Sequence, residues 1–168
     1  EYYLPPYLAP VDPWDGEMPT DNRYVCLAGQ TGKTPCWPDM HIGRFPVNNA
    51  VEVTAMVSKT LEYQQSPAPG DWARKTTFVT DDPDPAAGDF PALADELADN
   101  YVPASFEKEK IYFKQPPHTT EASVKTATIA AINEGRLFVK YIGHAAEWFW
   151  AGEQLFHRDD VALLTNQD

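Results

Sequence analysis

The stretch Arg136-Leu137-Phe138-Val139-Lys140-Tyr141-Ile142-Gly143-His144 leads from β-branched and aromatic residues into a Gly-His pair. This composition favours a strand and is typical of one that lies centrally in a parallel sheet. Ligands of such sheets bind at the carboxyl ends of the strands, where His144 would lie. Histidine changes protonation near neutral pH, so His144 is a candidate general acid or base. A structural or merely exposed histidine is the simpler alternative.

Strands and helices alternate upstream of this stretch. The predicted elements are a helix over about 49–64, a strand over 76–80, a helix capped by Asp89 and stopped by Pro103, a strand over 110–113, and a helix capped by Thr119 or Thr120 and ended by Gly135. Helices between strands form βαβ units with right-handed crossovers. The pattern therefore predicts an α/β sandwich, with a mostly parallel sheet and helices on both faces. Two further short strands are predicted earlier, over 24–27 and 41–45.

Acidic residues follow the strand over 76–80. That strand and the strand over 136–142 run in the same direction if the sheet is parallel, which places Asp81 and Asp82 at the same sheet edge as His144. A carboxylate in this position can orient a histidine and hold its proton.

The first 22 residues differ in character from the rest. They contain five prolines among aromatic residues, namely Pro5, Pro6, Pro10, Pro13 and Pro19. Proline excludes a regular helix and an inner strand, so residues 1–22 are predicted to be an arm or a linker. Residues 23–168 have a length suited to one domain.

The chain is acidic, with 13 Lys and Arg against 25 Asp and Glu and a formal net charge of −12. Nucleic acid and anionic membrane surfaces are therefore not expected partners, and solubility is the simplest reason for the charge. No stretch approaches the roughly 18 apolar residues of a membrane span, and residues 1–4 do not resemble a signal peptide. Because the sequence starts without Met and stops at Asp168 with no evident closing element, we expect a piece of a longer protein.

Two sets of residues could stabilise the structure through a disulfide or a metal. Cys26 and Cys36 could form a disulfide in an extracellular protein, although two unrelated thiols are equally compatible with the sequence. The acidic loop could bind calcium, but its spacing fails the EF-hand pattern, and solvated acids are the favoured interpretation. Its candidate ligands are Asp81, Asp82, Asp84 and Asp89. A structural zinc site is not expected, because the histidines form no close pair and no CxxC is present.

An ordered set of motifs resembles the gingipain-type cysteine peptidases of family C25, which are caspase-like in fold. The motifs are residues 38–44 (PDMHIGR), 61–63 (LEY), 78–82 (FVTDD), 133–135 (NEG) and 141–144 (YIGH), followed by Trp148 and the tail over 155–166. The resemblance covers about residues 24–166. It implies a caspase-like three-layer sandwich.

The resemblance also implies roles for individual residues. His144 would be the general acid and base of a thiol peptidase, oriented by Asp82, with Asp81 as the neighbouring possibility. The family usually has Gly after the histidine, where a backbone N–H binds the oxyanion. Ala145 retains that N–H but adds a methyl group where φ could be positive. Trp148 is a candidate wall of the substrate cleft, with packing as the alternative.

The family's nucleophile is a Cys at the end of the next strand, downstream of residue 166. Neither Cys26 nor Cys36 is expected to replace it, because nothing in the sequence places either one beside His144. The chain alone is therefore expected to be inactive until the downstream part of the polypeptide, or a second chain, supplies the Cys. The expected enzyme requires no cofactor, cleaves proteins or peptides, and is a bacterial-type protein secreted or held at the cell surface.

A non-catalytic structural or interaction module on the same scaffold is the alternative. Ala145, the cysteine-containing loop over 26–36 and the lack of a nucleophile favour that alternative. A Cys after a hydrophobic strand downstream of Asp168 would favour the peptidase.

Overall fold

The computed structural model describes residues 4–12, 16–27 and 38–166. The chain forms two compact units, Glu1–Pro67 and Ala68–Asp168. The boundary between the units lies well downstream of the predicted division after residue 22.

The first unit begins with an antiparallel pair of strands, β1 (Tyr7–Asp12) and β2 (Gly16–Thr20). Prolines are tolerated here because each strand of a two-stranded sheet has an open edge, where a missing N–H leaves no partner unsatisfied. Within its described residues, the proline-rich segment predicted to be an arm or a linker thus contains a hairpin.

The prediction of two short strands later in this unit, over 24–27 and 41–45, is wrong. A 3-10 helix covers Asn22–Val25, and residues 41–47 have no regular secondary structure. Polar contacts hold the second segment instead, since the Arg44 guanidinium pairs with Asp21 (2.7 and 2.8 Å) and donates to the Leu4 carbonyl (2.6 Å). Strand propensity alone does not form a strand when no neighbouring strand pairs with it.

The helix predicted in this unit is confirmed as α1 (Ala50–Gln65). Asn49 caps it by accepting hydrogen bonds from the backbone N–H groups of Val51 and Glu52 (3.0 Å each). The expected inward face is nevertheless exposed, because no element among the described residues covers it. Its residues are Val53, Val57 and Leu61, each at least 40% exposed.

The second unit contains the predicted parallel sheet, built from β3 (Lys75–Thr80), β4 (Glu107–Tyr112) and β5 (Phe138–Ile142). The strand order is β4-β3-β5, and both pairs are parallel. The expectation that β5 is central is therefore wrong for the described residues. β3 is central, because the chain crosses to one side of it to form β4 and to the other side to form β5.

Helices cover both faces of the sheet, which confirms the three layers. Successive residues of β3 point to opposite faces, so Phe78 packs with the buried alanines of α2 (Phe90–Tyr101) and Val79 packs with α3 (Glu121–Glu134). Burying a side chain such as that of Val79 stabilises the fold by about 1.5–3 kcal/mol. The α3 face is completed by Ala151 and Leu155, between the short antiparallel strands β6 (Phe149–Trp150) and β7 (Phe156–His157).

The edge of the sheet where the strands begin carries an ion-pair network. The Arg136 side chain is almost fully buried and donates to Glu109, Glu134 and Thr77 (2.9 Å each). Lys75 pairs with the same Glu134. These contacts join the starts of all three strands to the end of α3.

The last described segment is fixed at the same edge. After a 3-10 helix over Arg158–Leu163, the Asn133 side chain donates to the Leu163 carbonyl (3.2 Å) and accepts from the Thr165 N–H (2.7 Å). Because Asn133 lies at the end of α3, this clamp holds the chain near the start of β5.

Candidate active site

The acidic loop and His144 meet between β3 and β5, where the chain order of the sheet reverses. Crevices for ligands open at such switch points, because the crossovers on the two sides run over opposite faces. Thr80 pairs in register with Ile142, and the Asp81 N–H continues the ladder to the Ile142 carbonyl (3.1 Å). Asp81 therefore lies at the level of Gly143, one residue before His144.

Asp81 is the carboxylate that holds His144. Its Oδ2 is 3.2 Å from His144 Nδ1 and 3.4 Å from the backbone nitrogen of His144, while its Oδ1 accepts from the Asp82 N–H (2.9 Å). The Asp81 side chain is only 7% exposed, whereas that of His144 is 51% exposed. A buried acid thus orients an accessible imidazole.

Asp82, the acid preferred from the resemblance, lies elsewhere. Its carboxylate pairs with the ammonium of Lys114, the second residue after β4, at 2.9 Å. This contact raises the pKa of Lys114 above its ordinary value. The structure thus brings Asp81, the second possibility, to His144 and turns Asp82 toward the neighbouring strand, because consecutive residues after a strand point in different directions.

Gly143 permits this close approach. A Cβ atom at this position would lie 2.5 Å from Asp81 Cβ and 2.6 Å from the Tyr141 hydroxyl. The Tyr141 hydroxyl donates to the His144 carbonyl (2.7 Å), and the Ala151 N–H donates to the same oxygen (2.8 Å). Burial raises the pKa of Tyr141, which keeps this donor protonated. The backbone of His144 is therefore fixed from two sides.

The imidazole ring has two further neighbours. The Phe90 ring, at the start of α2, packs edge-on against it with centroids 5.2 Å apart. The Asp84 Oδ2 lies 3.4 Å from His144 Nε2, on the opposite edge from Asp81. Sequence reasoning considered Asp84 only as a calcium ligand and missed Phe90, since neither side chain has a motif that predicts contact with a histidine.

The Ala145 N–H takes no part in the local strand pairing. It forms an isolated antiparallel bridge with Trp150, flanked by hydrogen bonds from the Ala151 N–H to the His144 carbonyl and from the Ala146 N–H to the Phe149 carbonyl. In a bridge of this type the N–H of the central residue points away from its partner. Ala145 is not among the described non-glycine residues with positive φ, so its methyl group causes no backbone strain there.

Trp148 and Trp150 have different environments. Trp148 is 44% exposed, and the Arg158 guanidinium lies 3.9 Å from its ring centroid. Trp150 instead stacks on Tyr141, with centroids 4.5 Å apart. Trp148 is therefore partly exposed beside Arg158, whereas Trp150 packs against β5.

Two of the candidate calcium ligands have protein partners in the structure. Asp82 pairs with Lys114, and Asp89 caps α2 by accepting from the Ala92 N–H (3.0 Å). No group of three potential metal ligands occurs in the part of the chain that the structure describes.

Two other predictions concern the cysteines and the membrane. Cys26 is disulfide-bonded, and Cys36 lies outside the described residues. No helix over the described ranges combines the length and apolar character of a membrane span.

An imidazole oriented by a buried carboxylate at a switch point is typical of enzymes in which histidine transfers protons. The family model described as Peptidase family C25 matches residues 2–168. The chain therefore belongs to peptidase family C25, a lineage of cysteine-type hydrolases, and the resemblance seen in the sequence is confirmed. The parallel α/β architecture is consistent with the caspase-like fold of that family. No curated protein and no solved structure matches the chain significantly.

Proposed function

We propose that this chain carries the acid–base part of a cysteine endopeptidase site. The observation that carries the proposal is the contact of His144 Nδ1 with the buried Asp81 carboxylate at the switch point. His144 is the general acid and base, Asp81 orients it in place of Asp82, and the Ala145 N–H binds the oxyanion. Trp148 contributes a wall of the substrate cleft.

The proposed nucleophile is a Cys that follows a further strand along β5. Within the described residues, β5 pairs only with β3 and its other edge is open. The Asn133 clamp directs the chain to the start of β5, so a parallel strand added there would end beside His144. A segment farther along the polypeptide, or a second chain, can supply this strand.

In the proposed reaction, His144 accepts and returns one proton in acylation and one in deacylation. His144 Nε2 takes the proton of the thiol, and the thiolate attacks the peptide carbonyl, whose oxygen accepts from the Ala145 N–H. The imidazolium then protonates the leaving amine as the C–N bond breaks. Water, deprotonated by His144, then attacks the thioester, the C–S bond breaks to release the carboxylic acid, and the imidazolium returns its proton to the thiolate. Each of these steps uses protein groups and water.

We further propose that the enzyme acts on proteins or peptides outside the cell, as a bacterial-type secreted or surface protein. The disulfide at Cys26 supports an oxidising compartment. The formal net charge of −12 gives no support for a nucleic-acid partner.

The test is cleavage of fluorescently labelled casein by the full-length protein. We expect H144A to lower kcat/KM by about 100-fold to 10,000-fold, the usual contribution of general acid–base catalysis. H118A, which alters a histidine in the loop between β4 and α3, should retain wild-type activity. Cleavage by H144A at the wild-type rate would contradict the proposal.

A non-catalytic module is the second candidate. The observation that favours it is that both ring nitrogens of His144 face carboxylates, so Nε2 is not free in this arrangement. A correctly folded full-length protein that neither cleaves casein nor reacts with a thiol-directed peptide electrophile would support the module and contradict the peptidase.

A further inference from the structure

We propose that Asp84 is a second positioning residue for His144. Its carboxylate holds Nε2 at 3.4 Å, while Asp81 holds Nδ1 at 3.2 Å from the opposite edge of the ring. This role rests on the proposed function, because positioning has a consequence only if His144 transfers protons.

A closed turn presents the Asp84 carboxylate to the ring. The Asp84 N–H donates to the Gly88 carbonyl (3.0 Å), and the Gly88 N–H donates back to the Asp84 carbonyl (2.7 Å). The Asp84 Oδ1 accepts from the Ala86 N–H (2.7 Å), which leaves Oδ2 directed at His144. The turn fixes both the backbone and the side chain of Asp84, so the contact is part of the loop's own structure.

The ring thus has three neighbours, Asp81, Asp84 and the edge-on ring of Phe90, although half of it is exposed. Asp84 thus holds the His144 ring in the site before thiol and substrate are in place, and its carboxylate moves away from Nε2 when they bind.

Acylation of His144 by diethyl pyrocarbonate tests this role in the full chain, with the modified peptide quantified by mass spectrometry. The reagent must reach a ring nitrogen, and a carboxylate held beside Nε2 restricts that approach. D84N keeps an oxygen to accept from the Ala86 N–H but removes the charge. We expect D84N to raise the acylation rate of His144 about fivefold, as suits the loss of one partly exposed charge-assisted contact.

Two variants serve as controls. D159N removes the carboxylate of another histidine–aspartate pair, in which the Asp159 Oδ2 lies 3.3 Å from His157 Nδ1. It should change the acylation of His157 and leave that of His144 unchanged. D84E retains a carboxylate and should keep the rate at His144 within about twofold of the wild-type rate, because charge at this position is what matters.

Two outcomes would overturn the proposal. One is a rate at His144 in D84N within about twofold of the wild-type rate, below the effect expected for a lost charged contact. The other is an equal rise at His118 and His157, which would indicate general loosening of the fold. The acylation rate needs no peptidase activity, so an inactive full-length protein would reject the proposed function alone.

Discussion

Gly143 sets the distance between the end of β5 and the Asp81 carboxylate. The space that a Cβ atom would need is already occupied by Asp81 and by the Tyr141 hydroxyl, and neither can move without losing a contact to His144. A small side chain at this position therefore affects stability and site geometry together.

We expect G143A to lower the free energy of unfolding by about 1–3 kcal/mol, the usual cost of overpacking. Urea unfolding at neutral pH measures the change. G152A is the matched control, because no atom lies within 4 Å of a Cβ built at Gly152. The control should change stability by less than about 0.5 kcal/mol. Equal stability of the two variants would show that the close approach at Gly143 does not occur.

At this scale the sequence predicts where the histidine lies but not which acid it meets. The position of His144 follows from a local pattern, a strand that ends in Gly-His. The choice between Asp81 and Asp82 depends on the pairing of Thr80 with Ile142, and a shift of one residue reverses the direction of a side chain. That register arises from packing of the whole sheet, which the sequence pattern does not show.

Among the elements, the helices are predicted by sequence features that lie within or next to each helix, such as N-cap residues. Asp89 caps α2 through the Ala92 N–H, and the same helix begins with Phe90, whose ring contacts His144. Loss of the cap would fray the turn that holds this ring.

We expect D89A to lower the free energy of unfolding by about 1 kcal/mol, a typical value for an N-cap. D71A is the control, because the Asp71–Arg74 ion pair is long (3.6 Å) and exposed. Exposed pairs of this kind contribute about 0–1 kcal/mol, so D71A should have the smaller effect in thermal unfolding. A larger loss in D71A than in D89A would contradict the capping role.

The three predicted helices form because caps and apolar spacing act within one segment. Thr120 caps α3, and Gly135, with φ of +94°, follows its end as expected. The predicted strands over 24–27 and 41–45 do not form, and β5 is not central among the described strands, because a strand depends on neighbours far away in the chain. The exposed apolar face of α1 shows that periodicity predicts a helix without showing what covers it.

For the molecule as a whole, low pH should destabilise the fold by weakening the ion-pair network at the edge where the strands of the sheet begin. The hydrogen bond from Lys75, with that from Arg136, lowers the pKa of Glu134 to about 2 from its ordinary 4.5. A carboxyl whose pKa is depressed in the folded state stabilises that state when ionised. This contribution is complete above the unfolded pKa and is lost as the pH falls toward 2.

We expect E134Q to melt at a lower temperature than the wild type at pH 6 and the difference to shrink steadily between about pH 4.5 and pH 2, the window between the two pKa values. Thermal unfolding at pH 6, 4, 3 and 2 measures this. A difference that stays constant over the series would show that Glu134 does not stabilise the fold through its charge.

The nearness of β3, β4 and β5 in sequence also bears on how the domain folds during synthesis. Asp81 and His144 meet within one unit, and all the strands and helices between them are complete once residue 142 is reached. Domains commonly fold as units while the ribosome is still adding residues. We therefore expect Asp81 and His144 to be brought into contact early in synthesis. In the proposed enzyme the thiol arrives last, so the nascent chain could not cut itself or its neighbours before the final strand is in place.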